Sequence, residues 1–383
     1  MPDTTEQLLS HNVTEVIERK HLEERLRAGE RLRIKHGADP TAPDLHLGHA
    51  VILRKLKEFQ DLGHKIIFII GDFTARIGDP SGRSTARPIL SERQIKKNAK
   101  TYFRQAGKIL DIKKTEIHQN SEWFAREGWK EILEIADKFT VQRILERDDF
   151  EKRIKNGTEI TMREILYPLM QAYDSVKTKS DVEIGGVDQK FNMLAGRTLQ
   201  RRMKQEEQDI ICLPLLIGTD GEQKMSKSLD NYIGITESSE QMFGKTMSIP
   251  DKLINSWAEL TTEISSEIKK IANLRDAKLR LAYEIVKNYH SEKEAEKARE
   301  NFIKIFQKKE FPEKIETLKI NSQKELGDVL AENKIIESKS EFRRLIRSGA
   351  IESDGSLIKD THFLIKKNSI IRIGKKRFVK ILI

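Results

Sequence analysis

At 383 residues and 44.3 kDa, the chain is too long for one compact core, so two or three domains are expected. Hydrophobic residues make up 37% and charged residues 34%, with a net charge of +10, which excludes a disordered chain and indicates a highly charged globular protein. No apolar run reaches the roughly 20 residues of a membrane span, and the polar start MPDTTEQLLSHN is not a secretory signal. The single cysteine, Cys212, can form no internal disulfide, so a cytoplasmic location is predicted.

The first part of the chain alternates between helix and strand patterns. Residues Thr4 to Ala28 predict one amphipathic helix. A strand from Leu32, a helix over LGHAVILRKLKEFQDLGH and an apolar strand from Lys65 then follow within about 40 residues, which is a βαβ unit. Because the second strand is apolar along its whole length, the sheet is expected to be parallel and covered by helices on both faces.

The alternation continues to residue 230. Helices are predicted from Ser91 to Gly107, from Ser121 to Arg147, over MREILYPLMQAYDSV, and from Gln189 to Lys204. Strands are predicted around DVEIGG and over DIICLPLLIG. Residues 1–230 therefore predict an α/β fold, with a doubly wound, Rossmann-like parallel sheet and a helical insertion between its halves.

The remaining sequence predicts two further domains. Residues 231–318 indicate an α-helical domain that ends in a Lys/Glu-rich link after Phe311 and Pro312. Residues 319–383 indicate a small α+β module, with a helix at EFRRLIRSG, a strand at AIES, a Ser-Asp-Gly turn and a β segment ending in IRIGKKRFVKILI. This module has 15 Lys or Arg against 8 Asp or Glu, a balance of +7. Such a basic end favours a polyanionic partner, with a solvated surface that has no partner as the alternative.

Two histidines stand three apart at the predicted start of a helix. His46 and His49 share one face there, where free N–H groups and partial positive charge favour phosphate. Imidazoles in this place can donate to phosphate oxygens as charge builds up, and Gly48 lets a nucleotide approach the backbone. The alternatives are two ordinary surface histidines or a zinc pair, although no third ligand with the usual spacing accompanies them.

A second motif is the run KMSKS. Lys224 and Lys227 lie three apart on a loop of small residues that follows the turn TDGEQ, with Met225 as an apolar anchor. Such a loop can clamp a pyrophosphate and then release it. A solvated basic turn is the alternative.

A third segment, GDFTARIGDPSGRSTAR, follows the strand from Lys65. It places Asp72, Asp79, Arg83 and Arg87 around three glycines, at the strand end where open α/β sheets bind ligands. No GK[ST] ends the segment, so it is not a P-loop. The sequence also lacks a GxGxxG that opens a strand–helix unit, which argues against a dinucleotide oxidoreductase.

The motifs DPTAPDLHLGH, GDFTARIGDPSG, YPLMQAYDS, GGVDQKFN and KMSKS resemble the signatures of class I aminoacyl-tRNA synthetases, and their order resembles the bacterial tyrosyl-tRNA synthetases. The last segment is similar to an RNA-binding module shared with a small-subunit ribosomal protein. The resemblance covers nearly the whole chain. It implies a ligase that joins tyrosine to ATP with release of pyrophosphate, then transfers tyrosine to the 3′-terminal adenosine of its tRNA. It also implies a homodimer, and magnesium carried on the ATP phosphates with no metal bound by the protein.

The resemblance further implies roles for individual residues. For catalysis it implies Thr41, His46, His49, Lys224 and Lys227. For ATP binding it implies Asp39, Gly48, Gly186, Asp188, Leu215, Leu216 and Ser228. For tyrosine binding it implies Thr74, Asp79, Tyr167, Gln171, Asp174 and Gln189, with Asp174 accepting the phenolic hydroxyl. Without the resemblance, the shared helix face of Tyr167, Gln171 and Asp174 is more typical of an ordinary, partly buried polar surface than of a site.

Three positions depart from the family pattern. HLGH replaces the commoner HIGH, and Lys190 replaces the tryptophan of DQW. Lys35 stands where many relatives have a tyrosine that contacts the substrate hydroxyl, and it is expected either to face solvent or to pair with Asp174.

Two other classes of function stay open at this point. One is a nucleotidylyltransferase that does not use tRNA, against which the basic end and the amino-acid pocket argue. The other is a non-catalytic RNA-binding protein on a synthetase scaffold, against which the intact histidines and lysines argue.

Overall fold

The computed structural model describes residues 4–81, 90–307, 316–320, 324–374 and 377–382. The chain divides into two compact units, Met1–Ala295 and Glu296–Ile383, each with a sheet of its own. The predicted division into three domains at residues 230 and 318 stays a prediction. The predicted loop arginines Arg83 and Arg87, and the link after Phe311 and Pro312, lie outside the described residues.

A six-stranded sheet forms the centre of the first unit. Its strands in chain order are β1 (Glu15–Ile17), β2 (Arg33–Ala38), β3 (Lys65–Ile70), β4 (Glu116–Gln119), β5 (Val182–Gly186) and β6 (Asp209–Leu213). Their spatial order is β1-β6-β5-β2-β3-β4, with β1 antiparallel to β6 and all other neighbours parallel. The chain runs outward from β2 to β4 and then returns to the other side of β2, so the strand order reverses between β2 and β5.

The burial of the strands agrees with a parallel sheet that helices cover on both faces. Every residue of β5 and β6 is buried, as expected for parallel strands with helices on both faces. The predicted doubly wound α/β fold is therefore confirmed. In such sheets a ligand binds beyond the carboxyl ends of the strands where the order reverses, which here is between β2 and β5.

Helices surround this sheet and continue the first unit beyond it. They are α1 (Thr4–Ser10), α2 (Arg19–Arg27), α3 (Leu47–Asp61), α4 (Glu92–Ala106), α5 (Ser121–Ala136), α6 (Val141–Leu145), α7 (Asp148–Lys155), α8 (Met162–Thr178), α9 (Lys190–Arg202), α10 (Ser239–Met247), α11 (Ile254–Thr261), α12 (Ser265–Ile268) and α13 (Leu274–Tyr289). Capping boxes at Ser91, Thr161 and Ser238 begin α4, α8 and α10 by satisfying backbone N–H groups. Within the described part of the chain, no helix has the length and apolarity needed to span a membrane.

The start of the chain differs from the prediction. The sequence predicted one helix from Thr4 to Ala28, and this is wrong, because β1 interrupts it. Asn12 and Glu18 have φ angles of 55° and 62°, which a right-handed helix cannot contain. The residues between them extend and pair with β6, so a tertiary contact overrides the local helical pattern.

The second unit has a five-stranded sheet in the order β7-β11-β10-β8-β9. Helix α14 (Glu292–Gln307) crosses the boundary between the two units. The elements that follow it in chain order are β7 (Glu316–Lys319), α15 (Leu326–Glu332), α16 (Lys339–Arg347), β8 (Ile351–Ser353), β9 (Ser356–Leu357), β10 (Ser369–Ile373) and β11 (Arg377–Leu382). The predicted helix, strand and closing β segment are confirmed, whereas β7 and α15 were not predicted. Phe342 and Ile346 on α16 pack into an apolar core of this unit.

Candidate active site

A cleft of about 1130 Å³ opens where the strand order reverses between β2 and β5. It exceeds the usual pocket of about 300–1,000 Å³ for one small ligand. Every residue to which the family resemblance gave a role lines it, namely Asp39, Thr41, His46, Gly48, His49, Thr74, Asp79, Tyr167, Gln171, Asp174, Gly186, Asp188, Gln189, Leu215, Leu216, Lys224, Lys227 and Ser228. Asp72, which the sequence placed at the same strand end, is not part of the lining, because its carboxylate accepts from the backbone N–H and the hydroxyl of Ser121. The structure therefore brings together motifs that are far apart in the sequence.

The two histidines lie at the N-terminus of α3. The backbone N–H of His46 donates to Nδ1 of His49 at 3.2 Å, and the ring centroids are 3.8 Å apart. Because Nδ1 accepts this bond, a neutral His49 carries its proton on Nε2 and can donate from there. Burial lowers the pKa of His46 to about 3 and that of His49 well below its ordinary value, with the charge of Lys227 adding to both effects. Both imidazoles are therefore neutral hydrogen-bond donors near pH 7.

His46 Nδ1 lies against the start of its own helix. The atom is buried, and the capping arrangement turns this side chain toward the backbone N–H of His49, without completing a hydrogen bond. A Cβ added to Gly48 would lie 3.0 Å from the atom, so glycine leaves the ring its place. The first turn of α3 therefore positions the His46 ring beside that of His49.

The KMSKS loop covers the same end of the cleft. Lys224 Nζ donates to Oδ2 of Asp188 at 2.6 Å. Lys227 donates to the backbone carbonyl of Asp44 and lies 5.9 Å from the ring centroid of Tyr232. Burial lowers the pKa of Lys227 to about 8. Met225 is buried, so its predicted role as an apolar anchor is confirmed.

Hydrogen bonds join residues that the sequence had assigned to different ligands. Asp39, just beyond β2, accepts from the Thr74 hydroxyl on Oδ1 at 2.8 Å and from the Tyr167 hydroxyl on Oδ2 at 3.0 Å. Gln189 Nε2 donates to Oδ2 of Asp79 at 2.9 Å. Asp39, assigned to ATP, is thus bonded to two residues assigned to tyrosine, whereas the Gln189–Asp79 bond lies within the tyrosine set.

Asp174 lies deep in the cleft and is only 4% exposed. Trp123 Nε1 donates to its Oδ1 at 2.9 Å, and Asn120 Nδ2 donates to its Oδ2 at 3.3 Å. Burial raises the pKa of Asp174 to about 7, while the charge of Lys35 opposes that rise. Each carboxylate oxygen can accept more than one hydrogen bond, so Asp174 has capacity for a hydroxyl donor.

Sequence reasoning missed Asn120 and Trp123. They lie at the junction of β4 and α5, and the short polar strand β4 was not predicted. No motif marks either residue. An Asn followed by a Ser before a helical pattern is a helix-start signal, but it says nothing about a pocket.

Both expectations for Lys35 are wrong. The side chain is completely buried, and its ammonium pairs with Glu183 rather than with Asp174. Lys35 Nζ donates to Glu183 Oε1 at 2.9 Å, to Ser175 Oγ at 2.7 Å and to the carbonyl of Gln171 at 3.2 Å. The reason is its position on β2, a central strand with both faces covered. The Glu in the otherwise apolar strand DVEIGG was the available signal for this pair.

No group of three His, Cys, Asp or Glu side chains that could hold a metal ion occurs among the described residues. The end of the cleft that holds HLGH and KMSKS has lysines and neutral imidazoles. Of the carboxylates that line the cleft, Asp188 pairs with Lys224, and Asp39 accepts from Thr74 and Tyr167.

Comparisons with known proteins agree with this geometry. The family described as tRNA synthetases class I (W and Y) matches residues 27–307. The tyrosine--tRNA ligase of Thermotoga maritima is 48% identical over 391 residues, covering 99% of this chain and 98% of that protein. The corresponding enzyme of Aquifex aeolicus is also 48% identical, over 387 residues and 99% of both chains.

A solved structure shows the same fold. The C-terminally truncated mitochondrial tyrosyl-tRNA synthetase of Aspergillus nidulans matches with a TM-score of 0.66 and 23% identity, covering 80% of this chain and 95% of that one. A cleft at the reversal point of a parallel sheet, with HLGH and KMSKS at one end, is the architecture of a class I synthetase. The chain belongs to the tyrosine--tRNA ligases within the class I tRNA synthetases.

Proposed function

We propose that the protein activates tyrosine with ATP and then transfers it to the 3′-terminal adenosine of its tRNA. In the first step the tyrosine carboxylate attacks the α-phosphorus, the bond to the bridging oxygen breaks, and pyrophosphate leaves. In the second step the terminal ribose hydroxyl attacks the acyl carbon of the adenylate, and AMP leaves. The observation that carries this proposal is one cleft with lysines and neutral imidazoles at one end and a buried carboxylate at the other.

At the phosphate end, the chain supplies charge and hydrogen-bond donors rather than a nucleophile. His46, His49 and Thr41 face the phosphates, and Lys224 and Lys227 hold the departing pyrophosphate. Neutral N–H donors and two cations stabilise the charge that builds up on the phosphate oxygens. Catalysis then comes from positioning and electrostatics.

The nucleoside lies along the end of β5. Gly186 and Asp188 bind the ribose, Leu215 and Leu216 flank the adenine, and Asp39, Gly48 and Ser228 complete the ATP site. A Cβ on Gly186 would lie 2.7 Å from Asp188 Oδ1 and 2.9 Å from Leu215 Cδ2, so glycine at this position leaves room for the two side chains proposed to contact the ribose and the adenine.

Magnesium enters on the ATP phosphates. Mg²⁺ that accompanies a nucleotide is held mainly by its phosphates and waters, with few ligands from the protein. When bound, it neutralises phosphate charge, and the lysines and imidazoles act beside it.

At the other end, acceptors surround the amino acid. Asp79, Tyr167 and Gln171, with Thr74 close by, take the ammonium group, and Gln189 lies near the carboxylate. Asp174 accepts the phenolic hydroxyl. A phenylalanine would leave this buried carboxylate without that donor, which costs free energy and favours tyrosine.

The second unit binds the tRNA. Its excess of basic residues supports phosphate contacts, and Arg343, Arg344 and Arg347 are exposed on α16. We also propose a cytoplasmic homodimer, for which large exposed apolar side chains such as Leu133, Val141 and Met162 provide a candidate contact surface.

Exchange of labelled pyrophosphate into ATP, measured with each of the twenty amino acids, tests the activation step. Exchange with tyrosine alone is the expected result. Exchange with tryptophan or phenylalanine would keep the chemistry and overturn the pocket assignment. Absence of exchange with every amino acid would contradict the proposal.

A further inference from the structure

A charged pair lies behind the amino-acid pocket and takes no direct part in the proposed chemistry. Lys35 is 0% exposed and Glu183 is 2% exposed. Glu183 accepts from Lys35 and Gln171 on Oε1, and from Ser175 and Gln208 on Oε2. Burying two charges is costly unless both are paired and hydrogen-bonded, as they are here. Because this fully hydrogen-bonded ion pair lies next to the amino-acid pocket and contacts Gln171, it is a candidate for positioning the side chains of that pocket.

The pair determines which way the amide of Gln171 is turned. The carboxylate of Glu183 can only accept, so the Gln171 group that faces it at 3.0 Å must be the Nε2 donor. This leaves Oε1 as the side-chain atom with which Gln171 can accept a hydrogen bond from a cationic ligand. Lys35 also donates to the backbone carbonyl of Gln171 at 3.2 Å, which fixes the same turn of α8.

We propose that Lys35 is a positioning residue for tyrosine recognition: together with Glu183 it holds Gln171 so that Oε1 accepts from the α-ammonium of the substrate. The inference rests on the proposed function, which assigns Gln171 to that group. If the pair is lost, the amide can turn over and present a donor to the cation, which repels it.

Two variants separate this role from a purely structural one. In Lys35→Met, Glu183 loses its cation and takes up a proton, so it can donate as well as accept and no longer orients the amide. In the double variant Lys35→Met/Glu183→Gln, both charges are gone and no unpaired buried charge remains, which preserves folding. Lys55→Met is the matched control, because Lys55 is another buried lysine of the first unit, 1% exposed and paired with Glu58.

The probes are tyrosine and 3-(4-hydroxyphenyl)propionate, which has the same ring and carboxylate but no ammonium. Calorimetry gives the dissociation constant of each, and thermal unfolding checks that each variant is folded. Because a hydrogen bond to a charged group is lost, the preference for tyrosine over the analogue should fall about tenfold or more in both Lys35 variants. Loss of the Lys35 charge also raises the pKa of Asp174, which weakens binding of both phenols alike, so the ratio of the two dissociation constants is the readout. The KM for ATP should change little.

Lys55→Met should lower thermal stability and keep the preference for tyrosine. An unchanged preference in the folded double variant overturns the inference, as does an equal fall in Lys55→Met. If the unsubstituted protein shows no tyrosine-dependent pyrophosphate exchange, the proposed function fails first, and the inference falls with it.

Discussion

Lys224 of the KMSKS loop forms an ion pair with Asp188, with 2.6 Å between Nζ and Oδ2. The lysine proposed to bind pyrophosphate is therefore paired with the carboxylate proposed to bind the ribose. Nucleotide binding must therefore exchange this pair for contacts to ATP. Both side chains retain solvent contact, 35% and 20% exposed, and pairs of this kind contribute about 0–1 kcal/mol. This pair is therefore weak enough for a polyphosphate to displace it.

Replacing Asp188 tests this exchange. Asp188→Asn removes the negative charge that strengthens the bond to the ribose and pairs with Lys224, and we expect the KM for ATP to rise about tenfold, as for loss of one charge-assisted hydrogen bond. The dissociation constant of tyrosine, measured without ATP, should stay the same because its site lies at the other end of the cleft. An unchanged KM for ATP would remove Asp188 from the nucleotide site.

Lys227 should act on the transition state. Lys227→Ala is expected to slow adenylate formation by about 10²–10³, the usual effect of removing one stabilising donor. Single-turnover kinetics should show this loss, while the dissociation constant of tyrosine changes by less than about twofold. Equal losses in binding and in rate would argue against a pyrophosphate clamp.

The same lysine predicts a pH dependence. Burial lowers its pKa to about 8, so raising the pH above 8 removes the proton and the charge. Adenylate formation should fall in that range. Lys227→Arg stays charged there, so its profile should remain flat at high pH even if its maximum rate is lower.

Asp174 predicts a different pH dependence for tyrosine binding. Its pKa is raised to about 7, and Lys35 and Glu183 are the charged groups that act on it. The ionised form accepts the phenolic hydroxyl, so tyrosine should bind more tightly as the pH rises from 6 to 8 and then level off. Calorimetry without ATP isolates this effect from Lys227. Asp174→Asn should lose the dependence, and a flat profile in the unsubstituted protein would contradict it.

Asp174 also affects stability. Its pKa in the folded chain lies above the ordinary value of 3.8, so the folded state holds the proton more tightly than the unfolded state. Its contribution to the free energy of unfolding is therefore lost as the pH rises from about 4 through about 7. Urea unfolding between pH 5 and 8 should show a smaller loss in Asp174→Asn, and an identical loss would count against this pKa.

The exposed arginines of α16 should contribute to tRNA binding and not to the activation of tyrosine. Replacing Arg343, Arg344 and Arg347 with Gln leaves the buried face of the helix, with Phe342 and Ile346, unchanged. We expect tRNA charging to fall at least about tenfold. The plot of the logarithm of the tRNA-binding constant against the logarithm of the salt concentration should become less steep by about 2–3. Pyrophosphate exchange should be unaffected. Normal charging by this variant would remove α16 from the RNA-binding surface.

The sequence predicted those parts of the fold that local patterns determine. The apolar runs of β3 and β6 marked buried strands, and the helical pattern from Ser91 to Gly107 predicted α4. β1 and β4 were missed because they are short or polar and are defined by pairing with a neighbouring strand.

The same distinction applies to the site: residues in contiguous motifs could be predicted, and residues brought together by folding could not. His46, Lys224 and the other residues of contiguous motifs could be selected before the structure was known. The partner of Lys35 could not, because Glu183 is 148 positions away and meets it only across paired strands. Asn120 and Trp123 support Asp174 from the missed β4–α5 junction, so their part in the pocket required the three-dimensional arrangement.

The central claim is that this cleft puts tyrosine on tRNA. The most direct measurement is to incubate the protein with ATP, all twenty amino acids and total bacterial tRNA, and to identify by mass spectrometry the amino acid esterified to the 3′-terminal adenosine. We expect the esterified amino acid to be tyrosine, and to be found on tyrosine-accepting tRNA alone. Another esterified amino acid, or no aminoacyl-tRNA beside a control reaction that works, would contradict it.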